Sequence, residues 1–130
     1  RGDDLLIYGD KNKTLDFTYV DDFVEGIMIA IENEWNREYN ISGEQEEFIF
    51  DVAKKIIDEI GSKSKINFLP PERAQPQKVN VDISSIKRIG YSPKISIEEG
   101  IKNMVEWYKE NPEAINNYED KGMKYYNGGK

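Results

Sequence analysis

The chain has 130 residues, a net charge of −7 and neither cysteine nor histidine. Its length fits one domain with a core of its own, and a hydrophobic share of 38% is typical of a folded protein. The two missing residue types exclude thiolate nucleophiles, imidazole acid–base catalysis, disulfides and ordinary zinc sites. The acidic balance argues against general binding to nucleic acids or to anionic membranes.

The chain also lacks the sequence signals of a membrane protein. No apolar run approaches the roughly 20 residues of a membrane-spanning helix, and no signal peptide opens the chain. Together with the lack of cysteine, this predicts a cytoplasmic protein. Because the first residue is Arg1, we expect a fragment or a processed product. We expect one domain over 1–130, with an ordered core over about residues 4–110 and a polar tail over 111–130.

The first elements in chain order are two strands, a helix and a third strand. Leu5–Tyr8 is apolar and β-prone, and Leu15–Val20 alternates like a second strand after a turn. Apolar residues then recur at helical spacing. We expect Asp21 or Asp22 to cap this helix rather than to form an acid–base pair. A short strand over Glu38–Ile41 completes a βαβ-like order.

The middle of the chain predicts a helix, a strand and a loop. Phe48–Ile60 carries one apolar helical stripe, and Gly61 is well placed to end that helix. Lys65–Leu69 is predicted to be a strand. Three prolines between positions 70 and 76 then favour an extended loop, which is a natural place for a binding residue.

Two more helices are predicted towards the end of the chain. Asp82 or Ser84 can cap a short helix that runs through Ile89 and stops at Gly90. Ser96 begins a capping box, and the apolar positions after it form one face of a longer helix.

Four motifs in this order resemble one enzyme family. They are Y-G-D-K-N-K-T-L-D-F-T-Y-V-D-D over 8–22, Y-N-I-S-G over 39–43, D-I-S with G-Y-S-P over 82–93, and I-E-E-G-I ending at W-Y over 97–108. Their spacing is similar to that of the C-terminal portion of NAD-dependent sugar-nucleotide epimerases and dehydratases, the extended short-chain dehydrogenase/reductase family that includes UDP-glucose 4-epimerase. The resemblance implies a mixed α/β substrate-binding domain with a few short strands and about four to five helices, without the N-terminal Rossmann core.

The resemblance also implies a function. The chain would be the substrate-binding part of an NAD-dependent nucleotide-sugar epimerase, with a UDP-sugar 4-epimerase as the leading interpretation, and inactive alone. In such enzymes an upstream tyrosine acts as the base while hydride moves from the sugar to NAD and returns. We expect no catalytic residue and no metal site in this chain. We also expect no bound NAD, because the chain has no G-x-x-G-x-x-G turn. The alternatives are a dTDP-sugar 4,6-dehydratase, a UDP-glucuronate decarboxylase, or a noncatalytic relic that serves as a protein-interaction module.

Three residues are carried over from the family as substrate contacts. Leu6 and Tyr8 lie on the strand that meets the nucleotide base, partly through backbone hydrogen bonds, and Arg73 occupies the position of an arginine that pairs with the diphosphate. The alternative is that Leu6 and Tyr8 only pack in the core and that Arg73 is an exposed loop residue without a partner.

Two departures from the family pattern concern phosphate and ribose. Leu15 stands where the family has an arginine that reaches the diphosphate, and the stretch after Arg73 lacks the family's aspartate near the ribose. Lys11 or Lys13 is the candidate replacement for the lost charge, although a lysine does not reproduce a bidentate fork.

Two other patterns are better explained without chemistry. Y-N-G-G-K over 126–130 satisfies Y-x-x-x-K, but two glycines at the chain end oppose the helix that this motif requires. The acidic residues Glu44, Glu46 and Glu47 could suggest a metal site, but a solvated helix entry explains them better.

The expected partners are a nucleotide sugar and the N-terminal cofactor domain of the family, with no nucleic acid and no membrane. In the family, the helix over Asp22–Asn33 and the strand over Tyr39–Ile41 pack against that domain. Without it, apolar surface is exposed, and we expect the fragment to self-associate.

Overall fold

The computed structural model describes residues 3–33, 37–71 and 78–115. It confirms the mixed α/β class with a few short strands and four to five helices. Residues 112–115 form a final helical turn. The elements that precede this turn are β1 (Leu5–Tyr8), β2 (Thr14–Phe17), α1 (Val20–Asn33), β3 (Gln45–Phe48), α2 (Ile49–Ile60), β4 (Ile66–Leu69), α3 (Ser84–Lys87) and α4 (Ile97–Glu110).

The four strands pair two by two. Strands β1 and β4 are parallel, in a register that runs from Leu5 opposite Ile66 to Tyr8 opposite Leu69. Strands β2 and β3 are antiparallel, with Thr14 opposite Phe48. A connection of more than 50 residues separates β1 from β4, as parallel pairing requires a crossover, and α2 lies within it.

Helix α2 covers one face of the β1–β4 pair. Ile7 of β1 is buried, and the ring of Phe50 in α2 lies 5.8 Å from that of Phe68, the register partner of Ile7. Because successive strand side chains point to opposite faces, Leu6 and Tyr8 lie on the face away from α2.

Two buried clusters form the core of the described residues. In the first, Val52 of α2 packs with Ile101 and Val105 of α4. The second consists of Ile83, Ile86 and Tyr91 around α3, and Ile29 and Ala30 of α1 pack against it. Close approach explains Gly26 in α1, because a Cβ there would lie 2.8 Å from the side chain of Ile41.

Local signals at helix ends are confirmed. The hydroxyl of Ser96 accepts a 3.2 Å hydrogen bond from the amide of Glu99 and thereby caps α4. Gly61 ends α2 with a φ of 63°, in the left-handed region that glycine adopts without steric cost.

Other predictions are wrong, mostly where distant contacts decide the structure. Residues 37–43 are irregular rather than a strand over Glu38–Ile41, and the strand that follows α1 is β3. Strand β2 ends at Phe17 rather than at the predicted Val20, and Val20 is instead the first residue of helix α1. Asp21 and Asp22 therefore lie inside the first turn of α1 and are not its caps.

The short helix α3 is also shorter than predicted. It ends at Lys87 and continues as a turn to Gly90, which has a φ of 109°. Asp82 contributes at its start, because its carboxylate accepts a 2.8 Å hydrogen bond from the amide of Ser84.

Candidate functional site

The face of the β1–β4 pair away from α2, here called the open face, carries four side chains from two strands. The register places Leu6 beside Asn67 and Tyr8 beside Leu69. Leu6 is 56% exposed, Asn67 is exposed, and the other two are half-buried. The two site residues predicted on β1 are therefore brought together on an accessible surface.

Within the part of the chain that the structure describes, the outer edge of β1 carries unpaired backbone groups. The amides of Leu5 and Gly9 donate to the carbonyls of Lys65 and Leu69, at 2.8 and 3.0 Å, so the odd-numbered residues face β4. Since backbone polar groups alternate along a strand, the N–H and C=O of Leu6 and Tyr8 point to the opposite edge. No strand of the described residues pairs with that edge. It offers donor–acceptor pairs to a ligand.

Asp4 ties the two strands together at the start of the open face. Its carboxylate accepts hydrogen bonds of 3.0 Å from the backbone amide of Lys65 and from Nδ2 of Asn67. These two bonds, the backbone one first, hold the pKa of Asp4 below its usual value. Asp4 therefore stays ionised at neutral pH and fixes the amide of Asn67.

The turn after β1 separates the two lysines that were candidates for a phosphate contact. Asp10 accepts a 2.7 Å hydrogen bond from the amide of Asn12, which shapes the turn. Lys13 follows with only 6% of its surface exposed, whereas Lys11 is exposed. Burial argues against Lys13 as a ligand contact, so Lys11 remains the candidate in this loop.

The acidic residues of β3 form hydrogen bonds and ion pairs within the chain. Glu46 accepts a 2.7 Å hydrogen bond from the hydroxyl of Thr14 and lies 3.1 Å from the ammonium of Lys78. The Thr14 bond, followed by Lys78, lowers the pKa of Glu46. Glu47 is 3.6 Å from the ammonium of Lys55. Among the described residues, no group of three acidic side chains is arranged to hold a metal ion.

Helix α1 carries a second accessible surface. Its inner side packs on the cluster around α3, yet its other side is also apolar and exposed. An exposed apolar stripe on a helix whose other side is already packed is typical of a surface that another body covers. We call this surface the outer face of α1; its exposed residues are Val20, Phe23, Val24, Ile27, Met28 and Ile31.

Comparison with known proteins gives the same family as the motifs. The family model for the NAD dependent epimerase/dehydratase family matches residues 1–42. UDP-N-acetyl-alpha-D-glucosaminuronate decarboxylase of Bacillus cytotoxicus is 36% identical over 118 residues, which are 85% of this chain and 37% of that protein. The chain belongs to the NAD-dependent epimerase/dehydratase family.

Solved structures of the epimerase/dehydratase family share the fold. UDP-glucose 4-epimerase of Thermotoga maritima, solved with UDP-glucose, superposes with a TM-score of 0.79 at 29% identity over 85% of this chain and 36% of that one. UDP-glucuronic acid 4-epimerase of Bacillus cereus, solved with UDP-glucuronic acid and NAD, gives a TM-score of 0.74 at 31% identity, covering 82% and 35%. The chain thus spans little more than a third of the length of these relatives.

Two other family positions are Leu15, which the structure describes, and Arg73, which it does not. Arg73 lies outside the described residues, so its place relative to the open face stays a prediction. Leu15, the departure from the family pattern, is half-buried in β2 opposite Glu47. Asp4 and Asn67 were not predicted as site residues; the only sequence signal was one polar residue just before the apolar strand β1 and one within β4. No helix among the described residues is long and apolar enough to cross a bilayer.

Proposed function

We propose that this chain is the nucleotide-sugar-binding part of an NAD-dependent UDP-sugar 4-epimerase. The observation that carries the proposal is the outer edge of β1, where the backbone groups of Leu6 and Tyr8 face away from β4. Two solved relatives hold UDP-sugars and are named 4-epimerases, which supports this substrate class.

The chemistry of the strand edge fits a uracil or thymine base. The N–H and C=O of one strand residue form a donor beside an acceptor, and the imide edge of these bases presents an acceptor beside a donor. Such a contact reads the base through the backbone, so it tolerates the apolar side chain of Leu6. The ring of Tyr8 on the open face adds an apolar surface near the base.

The diphosphate would be bound from the loop that follows β4. Arg73 supplies a planar fork of donors, and Lys11 supplies a point charge from the turn after β1. Leu15 removes a third cation that other family members use. We therefore expect weaker binding of the diphosphate than in those members.

The outer face of α1 supports a second part of the proposal, namely that a cofactor domain docks on this chain. Its exposed apolar residues would be buried by that domain, which would contribute NAD, the catalytic base and the hydride transfer. The chain itself does not fit NAD, because no G-x-x-G-x-x-G turn occurs in it. Its role would be to bind and orient the nucleotide sugar in the cytoplasm, and it would be inactive alone.

A backbone-directed variant tests the nucleotide site. Leu6→Pro removes the outward N–H of Leu6 and leaves the hydrogen bonds to β4 intact, as proline is tolerated on an edge strand. Leu6→Ala removes the side chain but keeps the N–H, so it is the matched control. In amide NMR titrations with UDP-glucose, we expect saturable shifts at Ile7 and Tyr8. The binding that these shifts report should be retained in Leu6→Ala and weakened at least about fivefold in Leu6→Pro.

The titration also separates the proposal from its alternatives. CDP presents the opposite donor–acceptor order and should bind more weakly than UDP. The absence of saturable shifts with UDP-glucose, dTDP-glucose and UDP-glucuronate would contradict a nucleotide site and favour a noncatalytic interaction module.

A second candidate function is the decarboxylation of a UDP-uronic acid. It is favoured by the 36% identity to a UDP-sugar acid decarboxylase, which matches over 85% of this chain. A preference for UDP-glucuronate over UDP-glucose would support a uronic acid substrate, and equal binding would favour the neutral sugar epimerase.

A further inference from the structure

An apolar groove lies between α4, α2 and the start of α1. Two adjoining cavities of about 740 and 700 Å³ make up this groove, and they share Ile56, Met104 and Tyr108. Helix α4 has 14 residues and is therefore about 21 Å long, which sets the length of the groove. We call it the α4 groove.

The α4 groove has a buried floor and an exposed aromatic rim. Val52 and Ile101 line it and belong to the first core cluster. Trp107 at the rim is 51% exposed, and its ring packs edge-on against that of Tyr108, with 5.1 Å between the ring centroids. A continuous apolar surface of this kind marks a place where another segment or molecule binds.

The two ends of the α4 groove differ in charge. Of the described residues that line it, only Asp21 and Lys109 are charged. Asp21 lies at the end formed by the first turn of α1, and Glu99 of the first turn of α4 adds to the negative charge there. Lys109 lies at the opposite end, where its neighbour Glu110 offsets its charge. A fitting occupant therefore brings positive charge to the Asp21 end.

The chain itself leaves the described residues at the Lys109 end of the groove. Pro112 and Ile115 line this end, and Ile115 is the last described residue. Residues 116–130 therefore start beside the groove. An extended chain advances about 3.3 Å per residue, so about seven residues are enough to follow the groove to its other end.

The composition of residues 116–130 suits an apolar groove in an acidic protein. Three lysines and two acidic residues give this segment a net charge of +1, in a chain whose total is −7. The segment also carries four large side chains with apolar surface, at Tyr118, Met123, Tyr125 and Tyr126. Their burial would supply the affinity, because ion pairs at an exposed rim contribute little free energy.

The order of charges in the segment gives it a direction. Glu119 and Asp120 lie in its first half and would stay away from the Asp21 end. Lys124 and Lys130 lie in its second half and would meet that end. The segment thus matches the groove when it runs from Ile115 back towards the start of α1.

We propose that residues 116–130 bind in the α4 groove of their own chain, with their aromatic side chains over Met104 and Trp107. The bound segment would cover the apolar surface that α2 and α4 leave exposed. This contact does not depend on the nucleotide-sugar site, because the α4 groove shares no residue with the open face.

A spin label on the segment tests the proposal in the 130-residue chain. The chain has no cysteine, so Asn127→Cys provides one position for a nitroxide label. We expect the label to broaden the amide NMR signals of Val20 and Gly100 more than that of Lys109. An unbound segment would broaden the signals nearest to Ile115 most, and that pattern would overturn the proposal.

A mixed sample separates this contact from one between two chains. Labelled chains without ¹⁵N are mixed with ¹⁵N chains that carry no label. We expect no broadening at Val20 or Gly100 of the ¹⁵N chains. Broadening there as strong as in the directly labelled chain would assign the groove to a second copy and reject the proposal.

Variants on both sides of the contact complete the test. Met104→Gln in the groove should shift the ratio of bound to free segment about tenfold towards the free form. Met28→Gln on the outer face of α1 is the matched control and should leave the broadening unchanged. The double variant Tyr125→Ser with Tyr126→Ser alters only the segment, so it leaves the groove intact and should also reduce the broadening at Gly100. Broadening that persists unchanged in this double variant would contradict the proposal.

Discussion

The carboxylate of Asp22 in α1 accepts a 3.0 Å hydrogen bond from the backbone amide of Lys94, 72 residues later in the chain. Its second oxygen accepts an equal bond from the amide of Ile95. A further link joins the same segments, as the ammonium of Lys94 lies 2.7 Å from the carboxylate of Glu25. Asp22 is only 2% exposed, so it works as a buried clasp between α1 and the loop that leads into α4.

Removal of this clasp should destabilise the fold. Asp22→Ala leaves the two part-buried amides of Lys94 and Ile95 without their acceptor, and we expect the free energy of unfolding to fall by about 3 kcal/mol in urea denaturation. Asp22→Asn can still accept one bond and should lose less. Asp21→Ala removes an exposed neighbour and should change stability by less than about 0.5 kcal/mol. Equal effects at both positions would show that the clasp contributes nothing.

Asp22 also shows which contacts could not be predicted from the sequence. Local signals predicted the cap at Ser96, the end of α2 at Gly61 and the apolar strand β1, because each depends on residues within a few positions of it. The partners of Asp22 lie more than 70 residues away, so its helical position suggested a cap instead. Strand β3 has the sequence Q-E-E-F, with little β-propensity of its own, and forms through its pairing with β2.

The candidate site likewise contains residues that a local motif predicts and residues that only distant pairing brings in. Leu6 and Tyr8 could be selected from the family motif, since both belong to one strand. Asn67 and Asp4 join that surface only through the parallel register, which no local pattern reveals. Arg73 lies outside the described residues and remains a prediction from the motif.

Gly43 is required by the close passage of two backbones. A Cβ at this position would clash with the carbonyl oxygen of Phe17, and the amide of Gly43 donates a 2.8 Å hydrogen bond to the hydroxyl of Thr18. The backbone of Phe17 and Thr18, which a Cβ would meet, cannot move away easily. Gly43→Ala should therefore lower the free energy of unfolding by about 3 kcal/mol.

A second glycine provides the comparison. Gly61→Ala introduces a side chain into open space but at a φ of 63°, which costs about 1 kcal/mol. Thermal and urea unfolding of both variants measures the difference. A loss at Gly43 no larger than that at Gly61 would contradict the clash.

The bonds of Asp4 predict a specific pH dependence. The amides of Lys65 and Asn67 lower the pKa of Asp4 from its usual 3.8, so the unfolded chain binds its proton more readily than the folded chain. The stabilisation is therefore fully present above pH 3.8 and is lost as the pH falls through the folded pKa. Asp4→Asn should flatten the decline of unfolding free energy over this acidic range.

The neighbouring acid is the control for this measurement. Asp3 is exposed and precedes the strand, and Asp3→Asn should leave the acidic limb of the stability curve steeper than Asp4→Asn does. Urea unfolding at a series of pH values gives both curves. Identical curves for the two variants would show that the bonds of Asp4 do not form in solution.

The outer face of α1 predicts self-association of the isolated chain. Val24 and Met28 are 51% and 49% exposed and lie one turn apart on this face, so their burial in a dimer would release apolar surface from water. Sedimentation velocity should show an average mass that rises with concentration.

The double variant Val24→Gln with Met28→Gln should shift this rise to higher concentration without loss of stability, because neither side chain belongs to a buried cluster. Ile60→Gln is the matched control, as Ile60 is equally exposed, at 50%, but belongs to α2. Since two chains that each carry a net charge of −7 repel each other, added salt should strengthen the association. A mass that is monomeric at all concentrations, or that Ile60→Gln lowers as much as the double variant, would rule out the outer face of α1 as the contact.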